Sequence, residues 1–156
     1  MMSRQHRMLL GALLALLAVL LMVAFWPTPV DRAIRGDLDG VLGWLHGIGV
    51  PAWINYTLVE FTSNILLFVP LGVLVATLST AIPVVAATVA GLAMSLSVEL
   101  GQYLLLPARA ATGADVIANT AGAALGGALV WFLRRHSAGR VRRVRSRRSL
   151  SSKLSG

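Results

Sequence analysis

Residues 56–78 read YTLVEFTSNILLFVPLGVLVATL, an apolar run of the length a helix needs to cross a bilayer, roughly 20 residues. Its one charged side chain, Glu60, is followed four residues later by the carboxamide of Asn64, so both lie on one face of the helix. An ionisable group in a membrane helix is costly and marks a candidate functional site by default. The pattern repeats downstream: Glu99 precedes Gln102 and Asp115 precedes Asn119, each pair inside or at the edge of another apolar stretch. Only six acidic residues occur in the chain, so these stretches hold half of them, where solvation alone would put none.

Working outward, apolar runs of similar length lie at about residues 8–26, 83–106 and 115–133. With hydrophobic residues at 56% and charged residues at 13%, the composition is outside the soluble globular range. The predicted fold class is therefore all-α, an integral membrane bundle of four transmembrane helices forming one domain over residues 1–133. The first run follows Arg4 and Arg7 as a secretory signal would. Its ~19 apolar residues exceed the usual signal core, and Phe25, Trp26 and Pro27 replace a small-residue cleavage site. An uncleaved helix is predicted, with Trp26 as an interfacial aromatic.

Orientation follows from the basic residues. Arg4 and Arg7 precede the first helix, and Arg134, Arg135, Arg140, Arg142, Arg143, Arg145, Arg147, Arg148 and Lys153 follow the fourth. Under the positive-inside rule an even helix count puts both termini in the cytoplasm of a multi-pass cell-membrane protein. The loop from Pro27 to Asn55, with Asp31, Asp37 and Asp39 against Arg32 and Arg35, belongs outside, as does the short loop carrying Arg109. Residues 134–156 are rich in Arg and Ser and are expected to be a disordered basic cytoplasmic tail held near anionic lipid head groups. The net charge of +8 comes mainly from this tail, but no aromatic residues or folded module accompany it, which argues against nucleic acid as a partner.

Within the long outer loop, Ile34, Leu38, Val41 or Leu42 and Leu45 recur at helical spacing with Arg35, Asp39 and His46 elsewhere on the wheel. An interfacial loop helix is predicted. Gly36, Gly40, Gly43, Gly47 and Gly49 weaken it and leave a re-entrant loop as the alternative. His46 has the chemistry of an outward-facing base or metal ligand, although a lone interfacial histidine usually has neither role. Trp44, Trp53 and Tyr56 fit an aromatic belt. Asn55-Tyr56-Thr57 also matches a glycosylation sequon, a short and weakly specific motif.

Depth gives the polar pairs their meaning. The second helix enters from outside, the third leaves outward and the fourth begins outside, so Glu60, Asn64, Glu99, Gln102, Asp115 and Asn119 all fall in the outer half of the membrane, with Arg109 above them. Gly91, Ser95, Glu99 and Gln102 share a stripe of the third helix; Asp115, Asn119, Gly122 and Gly126 share one of the fourth. Gly122 and Gly126 form a GxxxG pair suited to close helix approach. Pro70, inside the second helix, removes a backbone donor.

These residues, taken in order, resemble a known signature. Glu60-x-x-x-Asn64-x-x-Leu67-Phe68-Val69-Pro70-Leu71-Gly72, then Ser95-x-x-x-Glu99-x-x-Gln102, then Arg109, then Asp115-x-x-x-Asn119-Thr120-x-Gly122-Ala123-x-x-Gly126 are similar to the motifs of the VanZ-like membrane proteins. The resemblance covers roughly Glu60 to Gly126. It implies a cell-envelope membrane protein with several transmembrane helices and, through the name-giving member, low-level antibiotic resistance to the lipoglycopeptide teicoplanin. It implies a phenotype and leaves the reaction open.

Three carboxylates with three carboxamides are hard oxygen donors suited to a divalent cation, and Arg109 suits a bidentate contact with a phosphate or carboxylate. Glu60, Glu99 and Asp115 are the candidates for general acid or base catalysis, and Asn64, Gln102, Arg109 and Asn119 for ligand binding. The predicted partner is an amphiphilic membrane lipid or lipid-linked envelope molecule. Metal, cofactor, oligomeric state and enzymatic status stay open. Two further readings compete: an ion- or proton-coupled membrane subunit, since clustered carboxylates in a membrane can share a proton, and a non-catalytic membrane partner in which the polar groups fix helix packing. Thiolate catalysis and disulfides are excluded because the chain has no Cys. No HExxH metalloprotease helix occurs, and His46 is the sole outer histidine available to activate Ser63, Ser95 or Ser97, which disfavours a serine nucleophile.

Overall fold

The computed structural model describes residues 3–26, 34–106 and 113–154, with side chains to Ser137. Five helices make up these residues: α1 (Arg4–Ala24), α2 (Arg35–Gly47), α3 (Tyr56–Leu78), α4 (Pro83–Leu105) and α5 (Gly113–Leu154). Four of them, α1, α3, α4 and the Gly113–Ser137 part of α5, are long and apolar enough to cross a membrane. They match the predicted spans to within a few residues. α2 is the loop helix anticipated from the apolar spacing, despite its four glycines.

Local chemistry marks the helix ends. Ser3 caps α1 by accepting from the backbone of His6 at 3.2 Å, and Asn55 caps α3 by accepting from Leu58 at 3.1 Å, so the sequon asparagine has a structural task. Pro83 starts α4 at a position where its missing N–H costs nothing. Asp115 lies in the first turn of α5, where the helix dipole favours a carboxylate. α5 runs on to Leu154, so the backbone is helical where the composition predicts a disordered tail. Arg is a strong helix former and the segment has no proline to stop the helix. The basic side chains beyond Ser137 lie outside the described residues.

α5 is the central helix, packed along both α3 and α4, while α1 leans mainly on α3. Between apolar helices in lipid there is no hydrophobic drive, so association relies on close packing and hydrogen bonds. The α3–α5 seam shows how. A β-carbon added at Gly122 would strike the carbonyl oxygen of Ile65, one at Gly126 the carbonyl of Val69, and one at Gly72 the carbonyl of Ala123. Each glycine therefore aims a Cα hydrogen at a backbone oxygen, a contact contributing about 0.5–1 kcal/mol. Gly91 brings α4 equally close to Ala123 of α5. Larger side chains fill the gap between α1, α3 and α4, where Leu20, Phe68 and Leu71 are buried with Leu13, Leu16, Leu17 and Met94 around them.

The two ends of the bundle differ. At one end Asn64 meets Asp115 and Ser95 meets Asn119. At the other, Arg134 donates from Nη1 to the carbonyl of Ser79 at 2.8 Å and from Nη2 to those of Ala76 and Thr77 at 3.0 Å each. These are the carbonyls left without donors where α3 ends. A positive charge there also complements the helix dipole.

Candidate functional site

The polar end is built from hydrogen bonds between helices. Asn64 Nδ2 of α3 donates to Asp115 Oδ1 of α5 at 2.7 Å. One turn further along α5, Asn119 Nδ2 donates to Ser95 Oγ of α4 at 2.9 Å. Asp115 and Asn119 thus share a side of α5, as their spacing requires, yet reach different neighbours. Asp115 is half-buried, whereas Asn119 and Ser95 are buried, at 8% and 1% exposure. Glu60, one turn before Asn64 on α3, is exposed, and Glu99, one turn after Ser95 on α4, is half-buried.

Gln102 takes another direction. Its Nε2 donates to the carbonyl of Ala24 at 2.8 Å, tying the end of α4 to the end of α1, and the Phe25 ring covers the adjacent Gly101. The structure therefore brings Asn64, Ser95, Asp115 and Asn119 together through direct bonds and sends Gln102 to the α1 side. Arg109 lies outside the described residues. Among the described residues, no three His, Cys, Asp or Glu side chains converge to hold a metal ion, so Glu60, Glu99 and Asp115 do not form a carboxylate cage.

One atom in this network is conspicuous. Asn119 Oδ1 is enclosed and has no hydrogen-bond partner, and the same holds for Thr120 Oγ1 beside it. Elsewhere in the bundle the hydroxyls of Thr77, Thr88 and Ser97 each donate to the carbonyl four residues back, the usual way to satisfy a hydroxyl inside a helix. Buried polar atoms are rarely left over, and those that are call for an explanation.

The α2 segment is fastened to the start of α3. The His46 ring donates from Nε2 to the carbonyl of Ile54 at 2.9 Å, which gives this histidine a structural partner. The Arg35 guanidinium lies 4.2 Å from the centre of the Tyr56 ring, a cation–π contact joining the first turns of α2 and α3. Trp44 and Trp53 stay largely exposed, at 65% and 66%, as an aromatic belt requires.

Two residues were given a lesser part by the sequence. Ser95 enters the spacing argument as one member of a stripe, and its bond to Asn119 shows it to be the point where α4 meets the polar network. Arg134 reads as a flanking charge and proves to be the cap of a neighbouring helix.

Four membrane-length helices, three of them joined near one end by carboxylate, carboxamide and hydroxyl side chains, define a helical membrane protein with a polar end. The VanZ/LLP1 family profile matches residues 12–134, most of the chain, and the chain belongs to the VanZ-like family. No curated protein and no solved structure matches it.

Proposed function

We propose that this VanZ-like membrane protein binds or modifies an amphiphilic molecule of the cell envelope at its polar end, which faces outward, and thereby alters susceptibility to glycopeptides such as teicoplanin. The carrying observation is that three different helices contribute to one polar level: Asn64 to Asp115 and Ser95 to Asn119, with α5 common to both. Two pairs a turn apart, with Glu60 exposed on the approach and part of Asn119 unpartnered, suit a site that receives a polar head group.

In this reading Asn64, Asn119 and Arg109 orient the head group, and Glu60, Glu99 and Asp115 hold or move protons. The outward orientation rests on the basic residues before α1 and after Leu133. Gln102, bonded to α1, shapes the wall of the site without facing its centre. The test is mass spectrometry of envelope lipids from cells with the protein, without it, and with Asp115→Asn. The expected outcome is a lipid or lipid-linked species that changes in abundance, or co-purifies, only with the unaltered protein. A lipid profile identical in all three strains, with nothing co-purifying, would reject the proposal.

A further inference from the structure

Resting on that site, we propose that its occupant engages Asn119 through a hydroxyl group, which docks on the free end of the carboxamide between α4 and α5. Ser95 and Asn119 are the buried polar side chains of the described bundle, and their mutual bond uses only one end of the asparagine. Turning the carboxamide over would give Oδ1 to the Ser95 hydroxyl and leave Nδ2 unpaired instead, so one end is over in either orientation.

That ambiguity selects the chemistry of the guest. A hydroxyl both donates and accepts, and so satisfies whichever end is presented. An ammonium only donates, and a fully ionised phosphate only accepts. Asn119 lies one helical turn from Asp115, about 6 Å further into the bundle. The guest therefore places its head beside Asp115 and a hydroxyl one turn below. Because Asn119 Oδ1 is enclosed, docking requires α4 to move slightly off α5 near Gly91, where the two helices touch through Ala123.

Two sources supply such a group: a water molecule, or a hydroxylated lipid head group. The sequence makes them separable, since the chain has only three asparagines, Asn55, Asn64 and Asn119, and asparagine-selective isotope labelling gives three carboxamide signals. The full chain is placed in phosphatidylcholine bilayers and then in bilayers containing phosphatidylglycerol, and magnetisation transfer to each carboxamide is recorded by NMR. The expected result is transfer from water to Asn119 in the first bilayer. If the head group is the source, the water signal is lost and a signal from glycerol protons replaces it in the second. Transfer to Asn64 with none to Asn119 in either bilayer overturns this inference and leaves the outer polar site standing. Transfer to neither residue overturns both.

Discussion

Asn64 and Asp115, 51 residues apart in sequence, are joined by a 2.7 Å hydrogen bond that ties the first turn of α5 to α3. Nineteen residues further along, the opposite end of the same helix pair is joined by Arg134 to the last carbonyls of α3. Between the two, glycines press backbone against backbone. The α3–α5 pair is consequently fixed along its whole length, while α4 is held to α5 by the Ser95–Asn119 bond and by close packing at Gly91 and Gly127.

The glycine seam makes a direct prediction. At Gly122 or Gly126 an alanine methyl meets a backbone carbonyl that cannot rotate away, so Gly122→Ala should destabilise the bundle by about 1–3 kcal/mol. Gly43 in α2 has open space where its β-carbon would be; Gly43→Ala should instead firm up that helix by about 0.5–1 kcal/mol. Thermal unfolding in nanodiscs reads the first and amide hydrogen exchange within α2 reads the second. Equal melting temperatures for Gly122→Ala and the unaltered protein would show that the seam is looser than described.

Arg134 separates charge from geometry. Arg134→Lys keeps the positive flank that orients the last helix but cannot reach three carbonyls with a planar fork, and Arg134→Gln removes the charge as well. The Gln variant should lose about 1–2 kcal/mol of stability, the scale of a well-placed helix C-terminal cation, with Lys between it and the original. Lys matching Arg in thermal stability would mean that the residue acts through charge alone.

Much of this architecture is legible from run length and spacing, because lipid imposes both. Four runs long enough to span must be helices, and four-residue spacing puts Asp115 and Asn119 on one side whatever the neighbours are. What spacing cannot show is which neighbour a side chain meets. Gln102 shares a stripe with Glu99, yet α1 ends beside it and its carbonyl at Ala24 takes the amide. Nothing in the α4 sequence announces that. Arg134 is similar: a basic residue after an apolar run has an adequate explanation in topology, and only the position of the end of α3 reveals a cap. The orphaned carboxamide end at Asn119 depends on how α4 packs against α5, which has no local sequence signal.

Topology is open to a clean test because the chain lacks cysteine. Tags at Ser3 and Ser155 should be reached only from the cytoplasm, and a thiol introduced by Asp37→Cys, at an exposed position of α2, only from outside. Labelling of Asp37→Cys solely after permeabilisation would reverse the orientation. Truncation after Arg135 retains the cap on α3 and two flanking charges, so insertion and activity should both survive it. A truncated protein that inserts normally but is inactive would assign the tail a binding role.

The decisive prediction concerns charge at the polar end. Asp115→Asn keeps an oxygen able to accept from Asn64, so the α3–α5 bond survives while the negative charge is lost. Glu60→Gln and Glu99→Gln likewise preserve size and most hydrogen-bonding capacity. If these residues only hold helices together, a variant should lose function only where it also loses protein. If they bind a head group or transfer protons, each should lose function while keeping near-normal abundance and thermal stability, as should Arg109→Gln where the head group is anionic. Teicoplanin tolerance in a sensitised host, measured beside protein abundance in the membrane, distinguishes the cases. Full tolerance in the isosteric variants would refute a charged site. Tolerance lost together with the protein would return the polar groups to a packing role, because a partner left unpaired inside a membrane bundle destabilises it.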